Sequence, residues 1–431
     1  MRGFDSHMSR RSFGKIAVSI GGATALAACT ERTENAEAPP GGSSEPWTLP
    51  SRQHAWNESL NGGNLPRHHV LLFLNYTGQQ PTSDERETIE GALKTLERAY
   101  EWSNDGLLFT LGYSPAYFDR FDDITLPSTV RLPEPEALTP FESPTLDQQD
   151  VVLHLASDRP DVVLRAEQAL FGDVEELNGV QMETRMSDVF DLADRRTGFI
   201  GEGLPAEKQQ DVESLSDSPV PDEAPEFMGF KTPFRGNQPS EDDVTIQDGP
   251  FAGSTTQHIE YLDIDLDRWY KQPREKRVGL MFSPEHASEE QVGEIGEQLG
   301  EFNGVTEEIA ESLEASAEDA GYVGHAQKAA RGRNGGTPTI LRRDFDTIDD
   351  GSAGLHFVSL QSKISDYTYT RKKIAGVNLD HPSGREIDLA EIDGIDTRTN
   401  NGILNYITTI RRGNFLIPRR ELRALPTPRP E

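Results

Sequence analysis

The chain contains a histidine and an arginine, at positions 325 and 342, whose chemistry suits a haem site. His325 lies in a Gly-His-Ala-Gln-Lys-Ala segment, and Arg342 lies in Leu-Arg-Arg. A neutral imidazole can bind haem iron from one face. A guanidinium on the other face keeps its charge and can stabilise negative charge that develops on a bound peroxide. Because the chain has 10 histidines, a surface pair explains this spacing as well, and the prediction depends on the neighbouring segments.

The composition excludes one class of partner. The net charge is −31, from 73 acidic and 42 basic residues. Such a surface repels phosphate backbones, so we expect no nucleic-acid binding. The acidity fits either a disordered chain or a folded protein kept hydrated in concentrated salt. Apolar runs at 70–74, 151–155 and 355–360 favour folding, and a halophilic, saline source is the preferred interpretation.

The N-terminus has the form of an export signal. Residues 9–15 carry a twin-arginine pair, and the apolar stretch 16–28 is too short to span a membrane. The stretch ends in Leu-Ala-Ala-Cys, which resembles a lipoprotein box, and Cys29 is the only cysteine. The pattern over residues 1–29 predicts twin-arginine (Tat) export and a lipid anchor on the outer face of the cytoplasmic membrane. Residues 30–64, rich in Pro, Gly, Ser and Glu, are predicted to form a flexible linker.

Two sets of strands and helices are predicted beyond residue 65. In the first set, apolar periodicity predicts strands at 69–76, 106–113 and 150–155 and helices at 83–102 and 160–171. In the second set it predicts strands at 257–264, 354–360 and 414–418 and a helix at 288–303. We therefore expect two α+β halves, 65–204 and 249–431, packed as one unit. The acidic, proline-containing segment 205–248 is predicted to be a surface excursion between them.

Five short segments occur in an order that matches one known family. They are Gly-Tyr-Ser-Pro…Phe-Asp-Arg at 112–120, Asp-Val-Val-Leu-His-Leu-Ala-Ser-Asp-Arg-Pro at 150–160, Gly-Pro-Phe-Ala-Gly-Ser-Thr at 249–255 ahead of Asp-Leu-Asp-Arg-Trp at 265–269, Leu-Arg-Arg at 341–343 and Gly-Leu-His-Phe-Val at 354–358. Together they resemble the dye-decolourising peroxidase (DyP-type haem peroxidase) superfamily over residues 65–425. The resemblance implies a duplicated ferredoxin-like fold, of the dimeric α+β barrel type, with haem b in the second half.

The resemblance also implies roles for individual residues. His325 would be the axial iron ligand, and Arg342 would be the catalytic arginine on the distal side. Leu355 and Phe357 would line the distal cavity, because alternation along a strand puts both on one face and turns His356 away. His356 and His154 lie in apolar strands and are interpreted as core histidines.

Two positions depart from the family pattern. The family's distal acid lies in a Gly-Phe-x-Asp-Gly motif, and Gly201 takes the place of the aspartate here. Phe199, Ile200, Gly201 and Gly203 are candidate haem contacts, and a one-residue bulge could bring Glu202 over the iron as the acid. The alternative is a solvated glutamate in a flexible loop.

The second departure is on the proximal side. Asn405 stands where the family has a carboxylate that accepts a hydrogen bond from the axial imidazole. An amide can orient the ring but adds no charge, so both departures predict weaker peroxidase chemistry.

Two functions from different classes remain open. The first is peroxidase-type reduction of hydrogen peroxide by an extracytoplasmic haem b protein, with electrons from an unknown reducing substrate. Trp269 and Tyr270 could relay those electrons, or they could simply be packing residues. The second is a lipoprotein that binds or handles haem or iron with little peroxidase turnover. A fold that has lost haem altogether is a third possibility.

Overall fold

A computed structural model describes residues 38–43, 45, 48–56, 65–121, 125–215, 217–286, 292–376, 379–380, 386–387 and 389–430. The twin-arginine segment, Cys29 and much of the predicted linker lie outside these ranges. Within them, no helix has the length and apolarity that crossing a membrane requires.

The first half contains four long elements of sheet and two long helices. The strands are β1 (His68–Tyr76), β2 (Leu108–Tyr113), β3 (Thr145–Leu146), β4 (Val151–Ser157), β5 (Glu176–Leu177), β6 (Val180–Gln181) and β7 (Phe190–Phe199). The helices are α1 (Ser83–Ala99), α2 (Pro115–Phe118), α3 (Pro160–Phe171) and, after β7, α4 (Leu204–Lys208). Helix α1 begins with a capping box, in which the Thr82 hydroxyl accepts from the Glu85 amide and the Glu85 carboxylate accepts from the Thr82 amide.

The second half repeats the sequence of strand and helix with more helical insertions. Its strands are β8 (Thr255–Ile264), β9 (Leu341–Arg342), β10 (Phe345–Thr347), β11 (Gly354–Gln361), β12 (Leu379–Asp380), β13 (Glu386–Ile387) and β14 (Ile407–Ile417). Its helices are α5 (Leu266–Tyr270), α6 (Arg274–Met281), α7 (Glu307–Glu311), α8 (Leu313–Ala320), α9 (His325–Ala330) and α10 (Ile364–Ala375).

One large sheet joins the two halves. Its order is β10-β7-β1-β4-β2-β14-β8-β11-β9, and β10 also pairs with β11, so the sheet closes on itself. The halves meet where β14 pairs with β2, at Leu416 and Tyr113, and where β10 pairs with β7, at Asp346 and Phe199. Apart from the short parallel pair β3–β14, these pairings are antiparallel. The predicted α+β class is confirmed.

Each half has its own hydrophobic core. The first core packs α1 and α3 against β1, β2 and β4, through residues such as Leu72, Leu93 and Val163. The second core lies around Trp269, Phe282 and Phe227. A third cluster, with Phe73, Phe345 and Phe415, fills the space inside the closed sheet.

Two predictions about elements differ from the structure. In the part of 288–303 that is described, turns and the 3-10 turn Glu297–Leu299 replace the expected helix. Gly293, Gly296 and Gly300 all have positive φ there, which interrupts an α-helix. The segment 205–248 is not only a surface excursion, because seven of its apolar side chains belong to the second core: Val212, Val220, Ala224, Phe227, Met228, Phe230 and Phe234.

Candidate functional site

A cavity in the second half contains both residues of the predicted pair. Its empty space is about 1500 Å³, counting the part that opens to solvent. Ligand sites are typically concave and mostly apolar, with a small number of polar groups that orient the ligand. Most of the lining is apolar and includes Met228, Phe234, Leu262, Ile264, Met281, Phe282, Leu355, Phe357, Ile403, Leu404 and Ile407.

His325 reaches this cavity from the first turn of α9. The preceding residue must be small, because a Cβ on Gly324 would overlap the carbonyl of Phe282. That same carbonyl accepts a hydrogen bond from the Gln327 amide at 3.0 Å, and the Gln327 side chain accepts from the Gly324 amide at 3.2 Å. The start of α9 is thereby held in one position, which fixes where the imidazole enters the cavity.

The surroundings of the His325 imidazole favour its neutral form, and one of its ring nitrogens has no partner among the described residues. Burial, followed by the charges of Lys328, Arg342 and Arg371, lowers the pKa of His325 from 6.5 to about 3. Within the described residues, its Nδ1 atom has no hydrogen-bond partner. A neutral imidazole with no protein partner on a ring nitrogen can bind a metal.

Lys328 ties this helix to the rest of the second half. Its ammonium group is fully buried and donates to the Asn401 carbonyl at 2.9 Å, the Asn401 side chain at 2.5 Å and the Ile374 carbonyl at 2.6 Å. Asn405, the residue expected to orient His325, instead accepts from Arg268 through its carbonyl at 3.2 Å. The described residues show no hydrogen bond between Asn405 and His325. Asn401 is the residue of this segment that reaches α9.

Arg342 lies on the cavity wall at the end of β9. Its amide donates to the Gln238 side chain at 2.8 Å, and its Nη2 atom donates to the Thr232 carbonyl at 2.5 Å. Its Nη1 atom lies 3.6 Å from a carboxylate oxygen of Asp344. The guanidinium is therefore held by the segment that follows β7 and stays part-buried at the cavity surface.

Three buried carboxylates line the same cavity as Arg342. They are Glu226, Asp344 and Asp346, with exposures of 6%, 3% and 1%. Burial, and then the charge of Asp344, raises the pKa of Glu226 from 4.5 to about 8. Burial, and then the charge of Glu226, raises the pKa of Asp346 well above its usual value. The sequence pattern did not predict this group. Side chains alternate along a strand, so residues 342, 344 and 346 lie on one face, and this spacing is the signal that could have indicated two of the three carboxylates.

Strand β11, which pairs with β9 and β10, supplies an apolar part of the same wall. Leu355 and Phe357 are part-buried and line the cavity. His356 is fully buried on the other face, 3.4 Å from a carboxylate oxygen of Asp349. His154 is also fully buried, with its Nε2 atom 3.0 Å from Nδ1 of His69.

The segment 199–203 does not reach the cavity. Phe199 and Ile200 are buried in hydrophobic clusters, and the Glu202 side chain is exposed at the surface. Gly201 and Gly203 have φ values of +116° and +83°, and neither lines the cavity. Phe199 instead packs edge-on against Phe227, with ring centroids 5.5 Å apart, and therefore supports the segment that carries Glu226.

Arg371, on α10, contributes a second cation to the cavity wall. Its Nη2 atom pairs with Glu142 at 3.1 Å, whereas its buried Nη1 atom has no partner in the part of the chain that the structure describes. Nearby, the Arg412 guanidinium holds the pKa of the buried Glu260 carboxyl well below its usual range, despite burial that acts to raise it. The unpaired Nη1 atom of Arg371 can donate a hydrogen bond to an acceptor such as a carboxylate.

Trp269 and Tyr270 are packing residues in this structure. Trp269 is fully buried and donates to the Met228 carbonyl at 2.9 Å. The Tyr270 hydroxyl donates to the Phe227 carbonyl at 2.8 Å. Both hold the segment that carries Glu226 against α5.

The fold of the chain is similar to the folds of solved DyP-type peroxidases. A family model described as "Family of unknown function (DUF7405)" matches residues 66–419. A DypB variant of Rhodococcus jostii in complex with haem aligns with a TM-score of 0.53 and 12% identity, over 84% of this chain and 96% of that one. The encapsulated DyP-type peroxidase of Mycobacterium smegmatis aligns with a TM-score of 0.52 and 16% identity, over 91% and 100%.

The remaining comparisons agree with this assignment of the fold. A putative DyP-type peroxidase of Shewanella oneidensis gives a TM-score of 0.50 at 14% identity, over 83% of this chain and 94% of that chain. A search of curated proteins found no match. At these identities the structural likeness establishes the fold, and it confirms the predicted duplicated ferredoxin-like architecture.

Proposed function

The chain belongs to the DUF7405 family, and we propose that it is a haem b protein of DyP-peroxidase type that reduces hydrogen peroxide at the expense of an electron donor. The observation that carries the proposal is the imidazole of His325, whose Nδ1 atom has no hydrogen-bond partner among the described residues and which shares one cavity with Arg342. The structural neighbours support a peroxidase-like fold.

The residues of the cavity fit a haem group. His325 would bind the iron, Leu355 and Phe357 would pack against the porphyrin, and the unpaired Nη1 atom of Arg371 would receive a carboxylate at the edge of the ring. When bound, haem supplies a redox-active iron that accepts peroxide.

The chain's own residues would hold the cationic group in position and stabilise the negative charge that develops on peroxide. Thr232 and Gln238 hold Arg342 in place, so its fixed positive charge needs no rearrangement when negative charge develops on peroxide. The apolar wall limits water, which strengthens this interaction. Glu202 has no part in the proposal, because its side chain is exposed and lies outside the cavity lining.

A second function is favoured by the surroundings of His325. The charges that act on its imidazole come from the cations Lys328, Arg342 and Arg371. A carboxylate partner would give the ring anionic character and favour oxidised iron, and the described residues provide none. The same cavity therefore also suits a protein that binds or handles haem with little turnover.

Optical spectra of the purified protein loaded with haem test the proposal. We expect His325→Ala to abolish or severely weaken haem retention, and added imidazole to restore the axial ligand. His356→Ala is the matched control, because His356 is a buried histidine of β11 whose side chain faces away from the cavity. Equal haem retention in both variants would refute His325 as the ligand. Peroxide-dependent oxidation of a dye would then separate the peroxidase from the haem-handling function.

We also propose that the protein is exported by the twin-arginine route and anchored through lipid on Cys29. The support is the sequence pattern of residues 9–29. Labelled lipid should be incorporated into the wild-type chain and not into Cys29→Ser, and equal labelling of both would refute the anchor.

A further inference from the structure

The three buried carboxylates that share the cavity with Arg342 form a connected group. Thr232 joins Glu226 to Arg342: its amide and hydroxyl donate to the Glu226 carboxylate at 3.1 and 2.8 Å, and its carbonyl accepts from Arg342 at 2.5 Å. Asp344 lies 3.6 Å from the same guanidinium. Asp346, two residues further along, accepts from the Phe227 amide at 2.6 Å. The carboxylates are thus positioned from two distant parts of the chain.

The charges of this wall do not balance if all three carboxylates are ionised. Arg342 is the one cation with which a member of the group is paired in the described structure. Behind the group lies the Tyr270 phenol, with the Arg277 guanidinium 4.6 Å from its ring centroid, and His325 lines the same cavity. Buried, unpaired carboxylates take up protons instead of staying ionised. Glu226 and Asp346 are therefore expected to be protonated at neutral pH, in agreement with their raised pKa values.

Two orphaned polar atoms indicate that a polar ligand enters here. Asp344 is 97% buried, lines the cavity, and its Oδ1 atom accepts no hydrogen bond from the described residues. On another wall, the buried Nη1 atom of Arg371 is likewise unpaired in the described part of the chain. Because buried polar atoms are normally hydrogen-bonded, an unpaired acceptor and an unpaired donor in one cavity indicate a ligand that can donate and accept hydrogen bonds.

We propose that Glu226, Asp344 and Asp346 hold and transfer protons beside Arg342, as the acid–base group of the peroxide reaction. This inference rests on the proposed function and deepens it. The Asp344 carboxylate would take the proton of one oxygen of hydrogen peroxide. Glu226 would give a proton to the other oxygen, which leaves as water with the electron pair of the broken O–O bond. Two electrons from the reducing substrate, the proton held by Asp344 and one proton from solvent would convert the remaining oxygen to the second water, and a second solvent proton would restore Glu226.

Glu226 follows a residue that contacts the loop in which the family pattern has its distal aspartate. The Gly201 amide, where the family pattern has aspartate, donates to the Pro225 carbonyl at 3.0 Å. The loop that lacks the carboxylate therefore contacts the segment that brings Glu226 to the cavity. Glu202 points to solvent from the same loop, so Glu226 supplies the acid that the loop does not.

Infrared spectra of the haem-free protein test whether the group holds protons. We expect absorption from protonated carboxyl groups at pH 7, reduced in Glu226→Gln and in Asp346→Asn. Glu223→Gln is the matched control, because Glu223 is an exposed glutamate three residues away. The absence of this absorption in the wild-type protein at pH 7, or its persistence unchanged in both variants, would overturn the inference. Its absence from the wild-type spectrum would overturn the inference even if a variant does not fold.

The haem-loaded protein tests the catalytic role. Glu226→Gln should slow the reaction with peroxide by on the order of 10²-fold, and Glu223→Gln should leave the rate unchanged. Slowing in Glu202→Gln, with an unchanged rate in Glu226→Gln, would refute the assignment. If the wild-type chain retains no haem, the proposed function fails, and the infrared spectra still show whether Glu226 and Asp346 hold protons.

Discussion

Replacing Glu226 with glutamine should change how the stability of the haem-free protein depends on pH. Glutamine keeps an oxygen that can accept from Thr232 but cannot ionise. In the wild-type protein, burial and the charge of Asp344 raise the pKa of Glu226 from 4.5 to about 8. Between these values the unfolded chain releases a proton that the folded chain retains. The wild-type protein must therefore lose stability, relative to the variant, as the pH rises through this window.

The size of the effect follows from the two pKa values. A separation of about three and a half pH units, at 1.36 kcal/mol per unit, corresponds to roughly 5 kcal/mol. Glu226 and Asp346 raise each other's resistance to ionisation and titrate together, so we expect roughly 3–5 kcal/mol. The loss should be absent below pH 4.5, accumulate up to about pH 8, and be complete above it.

Urea unfolding followed by tryptophan fluorescence, at a series of pH values, measures this difference. The free energy of unfolding of the wild-type protein minus that of Glu226→Gln is the quantity to plot. The exposed control Glu223→Gln should give a difference that does not vary over the same range. A constant difference for Glu226→Gln from pH 4.5 to 8 would refute the argument that burial keeps this carboxyl protonated.

Two further substitutions test the sides of the cavity separately. Arg342→Leu should retain haem but slow the reaction with peroxide by roughly 10²–10³-fold in stopped-flow measurements. Arg235→Leu is the control and should leave the rate unchanged, because Arg235 is exposed and lies outside the cavity lining. Lys328→Met should lower the free energy of unfolding by roughly 2–4 kcal/mol, because it leaves buried carbonyls of Ile374 and Asn401 without a donor. Unchanged denaturant unfolding of Lys328→Met would show that these hydrogen bonds contribute little.

Periodicity along the sequence was sufficient to predict the long elements. Strand β1 is a continuous apolar run, and helix α1 has apolar residues three to four positions apart. Both elements form near the predicted bounds. Local sequence also predicted that Leu355 and Phe357 share a face and that His356 lies opposite, because alternation is a property of the strand itself. The helix at 288–303 was predicted wrongly, since its three glycines adopt positive φ where described.

Only the tertiary structure determines which carboxylates share the cavity with Arg342. Arg342, Asp344 and Asp346 are close in sequence, but Glu226 joins them from a segment that composition marked as a surface excursion. The apolar residues of that segment, such as Phe227 and Phe230, bury it in the second core. Whether a carboxyl is a solvated charge or a buried acid depends on desolvation and on neighbouring charges, which distant residues supply. Sequence therefore indicated the fold and the His325–Arg342 pair, whereas long-range packing determined which carboxylates line the cavity they share.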